Sequence, residues 1–324
     1  MSTARIEAVN LRKEFGRIVA VDDVSFLVGA GEVLGFLGPN GAGKTTTMRM
    51  LTGYLRPTKG EVSICGINLL KDPVKAKSCI GYLPEGAPLY PELTPATFLR
   101  FAGHARGFAG HDLENRMAET AEQVRLEEVW HQPIETLSKG YKRRLGLAQA
   151  ILHDPDILIL DEPTDGLDPN QKHEVRELVK TMALKKAIII STHILEEVHA
   201  VCTRAVILAR GRIVADGTPG DLESMAPDHN AVSILLRSED APDLARKLET
   251  MDKVRTVEVT AGEDGRSLVQ VFPSGGGPIL SNVTDLIREK HISILELRLE
   301  PGRLDEVFRN LTLPAENQAH GGQS

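Results

Sequence analysis

The stretch Gly38-Pro39-Asn40-Gly41-Ala42-Gly43-Lys44-Thr45 constrains this chain more than any other. It fits the pattern G-x-x-x-x-G-K-[ST] without a gap or substitution. Glu32–Leu37 before it reads as a buried strand, and Thr46–Leu51 after it as the opening turns of a helix. Strand, glycine loop and helix N-terminus together specify an α/β unit with a phosphate-binding turn. Glycines 38, 41 and 43 allow backbone conformations closed to residues with a Cβ, so successive N–H groups can point inward around phosphate oxygens. The helix adds unpaired N–H groups and its positive dipole end. Lys44 would bring a point charge to the β- and γ-phosphates, and the Thr45 hydroxyl would ligate Mg²⁺. Without its flanks the pattern could be a glycine-rich turn that binds nothing; the strand and helix favour a nucleotide site.

The rest of the chain is organised in keeping with that loop. Its 324 residues suit two domains better than one. A hydrophobic share of 41% can fill a core, and a charged share of 26% marks a soluble protein. The net charge of -7 argues against a nucleic-acid surface spread over the molecule, and no nucleic-acid partner is expected. Cys65, Cys79 and Cys202 are scattered without metal-ligand spacing and read as small buried hydrophobes in a reducing compartment. Met1–Arg12 lacks the apolar core of a secretory signal. No apolar run approaches the roughly 18–20 residues of a membrane span, so work on a membrane would need a partner.

Residues 4–28 alternate as strands, broken between Val19–Val21 and Val24–Val28, with Phe15 at a turn. From Thr94 to His153 apolar residues recur three and four apart, over Ala96–His104, Glu114–Val124 and Lys142–Leu152. This predicts a helical subdomain, about 86–153, inserted in the α/β core. Ile157–Leu160 and Ala187–Ile190 are buried parallel-type strands ending in Asp161-Glu162 and Ser191-Thr192-His193. Ligands collect at the carboxyl ends of such strands, which joins these residues to the glycine loop. Asp161 is placed to hold Mg²⁺ through water, Glu162 to orient or deprotonate an attacking water, and His193 to reach the γ-phosphate. Beyond about 222 the pattern becomes β-α-β-β-α-β, which would suit a small ferredoxin-like domain over 223–312. A polar tail, 313–324, is expected to be disordered.

Taken together, these residues resemble an ATP-binding-cassette (ABC) ATPase subunit over about residues 4–220. Leu137-Ser138-Lys139-Gly140-Tyr141 is similar to the family's LSGGQ signature, with Ser138 and Gly140 matching and Lys139 and Tyr141 departing. Leu160–Thr164 matches the catalytic strand end, Gly166-Leu167-Asp168 the following loop, Phe15 the base-stacking aromatic, and His193 the switch histidine. Glu85 stands where the family usually has glutamine. The resemblance implies a P-loop NTPase fold: a RecA-like core, an antiparallel β subdomain and an inserted helical subdomain, followed by the C-terminal α+β domain. It implies ATP and Mg²⁺ as ligands. Phe15, the loop 38–45 and Thr46 would hold ATP; Thr45, Asp161 and Glu85 would surround the metal; Glu162, His193, Glu85 and Lys44 would carry catalysis. Ser138, Gly140 and Asp168 would serve ATP held by the other subunit.

Glu85 with LSKGY, and Leu304–Phe308 in the C-terminal part, look like the gliding-motility-type branch of ABC-2 exporter ATPases. That implies a separate multi-span membrane permease, a second copy or paralogous ATPase subunit, and a place on the cytoplasmic face of the membrane. Two other readings stay open: a soluble ABC-type mechanical switch, and a module that binds ATP without turnover.

Overall fold

The computed structural model describes residues 4–262 and 264–312. The predicted disordered tail lies outside them. The chain divides into two compact units between Asp216 and Gly217.

In the first unit, β1 (Ala4–Phe15) and β2 (Ile18–Gly29) form a long antiparallel pair, joined by β4 (Lys59–Ile64) and β5 (Ile67–Asn68) in the order β2-β1-β4-β5. β2 is continuous where the sequence predicts a break. The interruption is a pair of irregularities: Asn10 and Asp23 take left-handed backbone (φ 47° and 59°), and Asn10 Nδ2 donates to Asp23 Oδ1 at 2.6 Å. Local side-chain bonding of this kind is what lets Asn and Asp hold positive φ.

The second sheet contains β3 (Val33–Leu37), β6 (Ile80–Leu83), β7 (Ile157–Asp161), β8 (Ala187–Thr192), β9 (Arg204–Ala209) and β10 (Arg212–Gly217), ordered β10-β9-β3-β8-β7-β6. The run β9-β3-β8-β7-β6 is parallel. Every residue of β3, β7 and β8 is buried, the expected state for parallel strands covered on both faces. The two sheets share one core, in which Phe26 meets Phe36 edge to face at 5.1 Å. α1 (Lys44–Leu51) follows β3, and α2 (Pro73–Ser78) precedes β6. The helical insert comprises α3 (Pro95–Ala105), α4 (Gly110–Val124) and α5 (Lys139–Ile151). Thr94 opens α3 with a reciprocal cap on Thr97 and Pro95 at the first turn. α6 (Pro169–Ala183) and α7 (Leu195–Val201) lie between the later strands.

His153, just past α5, is held between the Ile80 carbonyl (3.1 Å) and Arg106 Nη1 (2.9 Å) from Nε2, while its Nδ1 is buried without a partner. Burial, helped by the nearby Arg106 charge, lowers its pKa to about 4. The unfolded chain therefore binds this proton more readily. Its contribution is present above about pH 6.5 and declines as the pH falls toward 4, by about 2–3 kcal/mol. His153→Gln should flatten the stability profile over that window in denaturant titrations at several pH values.

The second unit contains α8 (Pro219–Glu223), β11 (Val232–Arg237), α9 (Ala241–Glu249), β12 (Val254–Ala261), β13 (Arg266–Pro273), α10 (Leu280–Glu289), β14 (Ile294–Leu299) and α11 (Leu304–Thr312). Its sheet is antiparallel in the order β12-β13-β11-β14, the arrangement of a ferredoxin-like domain. Leu244 and Leu248 of α9 and Val283 and Ile287 of α10 pack on Ile234, Val269 and Val271. α11 lies against α8.

The cysteines need a correction. Cys202 is buried, as expected, but Cys65 and Cys79 are only half-buried and lie close together. Nothing in their spacing along the chain foretells that approach.

Candidate nucleotide site

The glycine loop runs from the end of β3 into α1, and two of its glycines are needed for packing alone. A Cβ on Gly38 would meet the Leu208 carbonyl oxygen at 2.6 Å. One on Gly43, which caps α1 at φ 106°, would meet the Ala20 carbonyl oxygen at 2.7 Å. The loop is thus pressed onto β2 and the β9–β10 turn, where Gly211 N donates to the Ala42 carbonyl at 3.0 Å. No side chain caps α1, so its first N–H groups face the loop. Pro39, Asn40 and Gly41 are exposed, Ala42 is buried, and Thr45 and Thr46 are half-buried. Thr47, one residue further, is turned inward and donates to the Gly43 carbonyl at 2.9 Å.

Lys44 is 7% exposed and its Nζ donates to the carbonyls of Gly38 (2.5 Å) and Pro39 (3.2 Å). Burial lowers its pKa, while the carboxylates of Glu162, Asp161 and Glu85 pull it the other way. These three acids are the ones singled out from the sequence, brought to one cation from the ends of two strands.

Asp161 ends β7 and is 1% exposed. Its Oδ1 accepts from the Ser191 hydroxyl of β8, and its Oδ2 is buried with no partner. A buried unpartnered carboxylate oxygen is costly unless a cation or an ordered water completes it, so this atom fits a Mg²⁺ shell. Glu162 takes left-handed backbone (φ 49°), and its N–H is held by Ser191 Oγ at 3.1 Å and the Ser191 carbonyl at 3.2 Å. Glu162 Oε1 lies 3.0 Å from His193 Nδ1, and the imidazole is about half exposed.

Two buried charged residues behind these groups have no counterpart in the sequence reading. Arg143 on α5 is 7% exposed and donates to five backbone carbonyls: Pro84 (3.0 Å), Glu85 (2.7 Å), Pro163 (3.4 Å), Asp161 and Glu162. It ties the Glu85 loop and the end of β7 to one helix. Glu197 on α7 is 4% exposed and accepts from the hydroxyls of Thr164 and Thr192 (2.7 Å), fixing the segments on which Glu162 and His193 stand. Arg143 sits among Lys142 and Arg144, where only its helical spacing from Gly146, Leu147 and Ala150 marks it as inward-facing.

Ser138, Gly140 and Asp168 stand at two other helix starts in the unit. Ser138 caps α5, accepting from Tyr141 N at 3.3 Å, and Asp168 caps α6, accepting from Gln171 N at 2.9 Å. The two helix starts are neighbours, since a Cβ on Gly140 would meet Gln171 Oε1 at 2.4 Å. Among the described residues, no hydrogen bond joins Ser138 or Asp168 to the glycine loop. Phe15 is 49% exposed at the turn after β1, with Lys13 Nζ 5.1 Å from its ring centre. Glu85 is exposed, and it lines a cavity of about 470 Å³ together with Lys139, Lys142, Arg143 and Asp165. The departures at 85 and 139 therefore face the same space.

The comparisons with known proteins agree with this geometry. The family model for ABC transporters matches residues 21–165. The linearmycin resistance ATP-binding protein LnrL of Bacillus subtilis (strain 168) is 32% identical over 310 residues, covering 95% of this chain and 98% of that protein. The Nod factor export ATP-binding protein I of Ralstonia nicotianae is 32% identical over 312 residues, covering 96% of this chain and 94% of its own. Both similarities extend into the second unit. Among solved structures, the ATP-binding subunit of an ABC transporter is 35% identical at a TM-score of 0.63, covering 68% of this chain and 92% of that one. The chain belongs to the ABC transporter family as an ATP-binding subunit, an ABC-type ATPase.

Proposed function

We propose that this chain is the motor subunit of an ABC-2 type exporter, closing on ATP as a pair and reopening on hydrolysis. The observation that carries the catalytic part is the meeting of Lys44, the unpartnered Asp161 oxygen and the Glu162–His193 pair at one sheet edge. Phe15 offers a ring to the base, while the loop 38–45 and Thr46 offer N–H groups and a hydroxyl to the phosphates. Thr45, Asp161 and Glu85 would hold Mg²⁺, the last two as carboxylates. The chemistry supplied by a bound Mg²⁺ is charge neutralisation on the β- and γ-phosphates. Lys44 stabilises the charge that grows on the transferred group, Glu162 accepts a proton from the attacking water, and His193 orients Glu162.

Ser138, Gly140 and Asp168 stand at helix starts, and among the described residues no hydrogen bond joins Ser138 or Asp168 to this chain's own loop. They suit ATP held by a second copy or a paralogous subunit. A separate multi-span permease fits the absence, among the described residues, of any helix long and apolar enough to cross a membrane. The subunit would then sit on the cytoplasmic face. The names of two relatives, a linearmycin resistance ATP-binding protein and a Nod factor export ATP-binding protein, support an export role.

The test is Mg²⁺-dependent ATP turnover by the purified chain, alone and with its candidate permease in lipid. Stimulation by the permease supports the transport motor; turnover indifferent to every membrane partner favours a soluble switch, and binding without turnover a binding module. Within the same assay Glu85→Gln removes a negative charge from beside the γ-phosphate and is expected to raise turnover several-fold. An unchanged or lower rate would show that the carboxylate is not a brake.

A further inference from the structure

Three side chains from distant parts of the chain meet at the end of the parallel sheet opposite the glycine loop. Cys65 occupies the turn between β4 and β5, Cys79 immediately precedes β6, and Asp156 immediately precedes β7. The two sulfurs and a carboxylate oxygen of Asp156 all lie within 4.8 Å of one another. Their backbones are fixed: Cys65 N donates to the Arg5 carbonyl at 2.7 Å, and Ile157 N donates to the Cys79 carbonyl at 3.1 Å. The thiols are half-buried, whereas the Asp156 side chain is 49% exposed and opens the cluster to solvent.

We propose that Cys65, Cys79 and Asp156 form a binding site for a thiophilic divalent cation of the zinc class, separate from the nucleotide site. Two sulfurs and one oxygen select a borderline-soft ion over Mg²⁺. Zn–S bonds of about 2.3 Å in a tetrahedral shell place ligand atoms about 3.7 Å apart, so the cluster must contract by no more than about 1 Å. Water fills the fourth position on the open side of Asp156. The cluster already holds a cation: Arg5 Nη1 is 3.4 Å from Asp156 Oδ1 and 4.0 Å from Cys65 Sγ. Arg5 is itself 37% exposed and can swing outward to make room.

Burial, followed by the neighbouring Cys79, pushes the Cys65 thiol up to about 11. Asp156 raises it further and the Arg5 hydrogen bond opposes the rise. On coordination each thiol gives its proton to water as the metal–sulfur bond forms.

The experiment uses the full chain, reduced and stripped of metal, titrated with Co²⁺ alone in the absence of nucleotide. The expected result is one equivalent bound with a thiolate-to-cobalt charge-transfer band, displaced by Zn²⁺. Cys65→Ser and Cys79→Ser should abolish the band, and Asp156→Asn should weaken binding by about tenfold or more. Arg5→Met should tighten it several-fold, a gain that misfolding does not produce, and Cys202→Ala should leave the band in place. The proposal is overturned by the absence of a sulfur band, by a band that survives both serine variants, or by unchanged affinity in Asp156→Asn. It is equally overturned if air links Cys65 to Cys79 while the reduced chain takes up no cobalt.

Discussion

Glu162→Gln is expected to cut ATP turnover by about a thousandfold while leaving ATP binding intact. The amide has the same shape and can keep contact with His193 Nδ1, which lies 3.0 Å from the carboxylate in the native chain. What it loses is the capacity to take a proton. The left-handed backbone at Glu162 and its two bonds to Ser191 do not involve the replaced group, so the side chain should stay where it is. An ATP-loaded pair of subunits should accumulate in size-exclusion chromatography, because closure no longer leads to hydrolysis. Turnover equal to that of the native chain would remove Glu162 from the proton-accepting role.

Arg143→Met carries the second large effect, through architecture. Five carbonyl oxygens lose their donor at once, and water has little access, since Arg143 is 7% exposed. A loss of about 3 kcal/mol is expected, as leaving buried acceptors unpaired costs more than the bonds contribute net. Where the variant is still folded, turnover should fall by about tenfold or more, because the end of β7 and the Glu85 loop are no longer held to one helix. Arg143→Lys separates charge from geometry. An ammonium keeps the charge but cannot span five oxygens in a fan. Lys should therefore recover part of the stability and little of the turnover, read by thermal unfolding and steady-state rates. Full recovery by Lys would show that charge alone matters there.

The contrast between Glu162 and Arg143 also explains what the sequence could disclose. Gly38–Thr45 and Leu160–Thr164 are contiguous because a loop that wraps a phosphate and a strand that ends in two acids are local devices. Their physics is complete within a few residues, and so is their signature. The caps of α5 by Ser138 and of α6 by Asp168 are equally local, each side chain accepting from an N–H three residues on. Arg143, Glu197 and the Cys65–Cys79–Asp156 cluster are made by tertiary convergence. Their partners are backbone carbonyls, hydroxyls or thiols supplied from other elements, and no fixed spacing connects them. A basic residue in the run Lys142-Arg143-Arg144 looks solvated until the helix is docked. The irregularities at Asn10 and Asp23 hid the continuity of β2 in a similar way, since a bulge shifts the alternation that periodicity depends on.

Arg143 grips only main-chain oxygens, and this separates place from identity at the positions it holds. The carbonyls of Pro84, Glu85 and Asp161–Pro163 are held without reference to what side chains those residues carry. Exchange of the acid for an amide at 85 would thus change charge without removing the main-chain contact that holds the loop. One frame can in this way accept different charge at a single exposed position while its backbone stays in place.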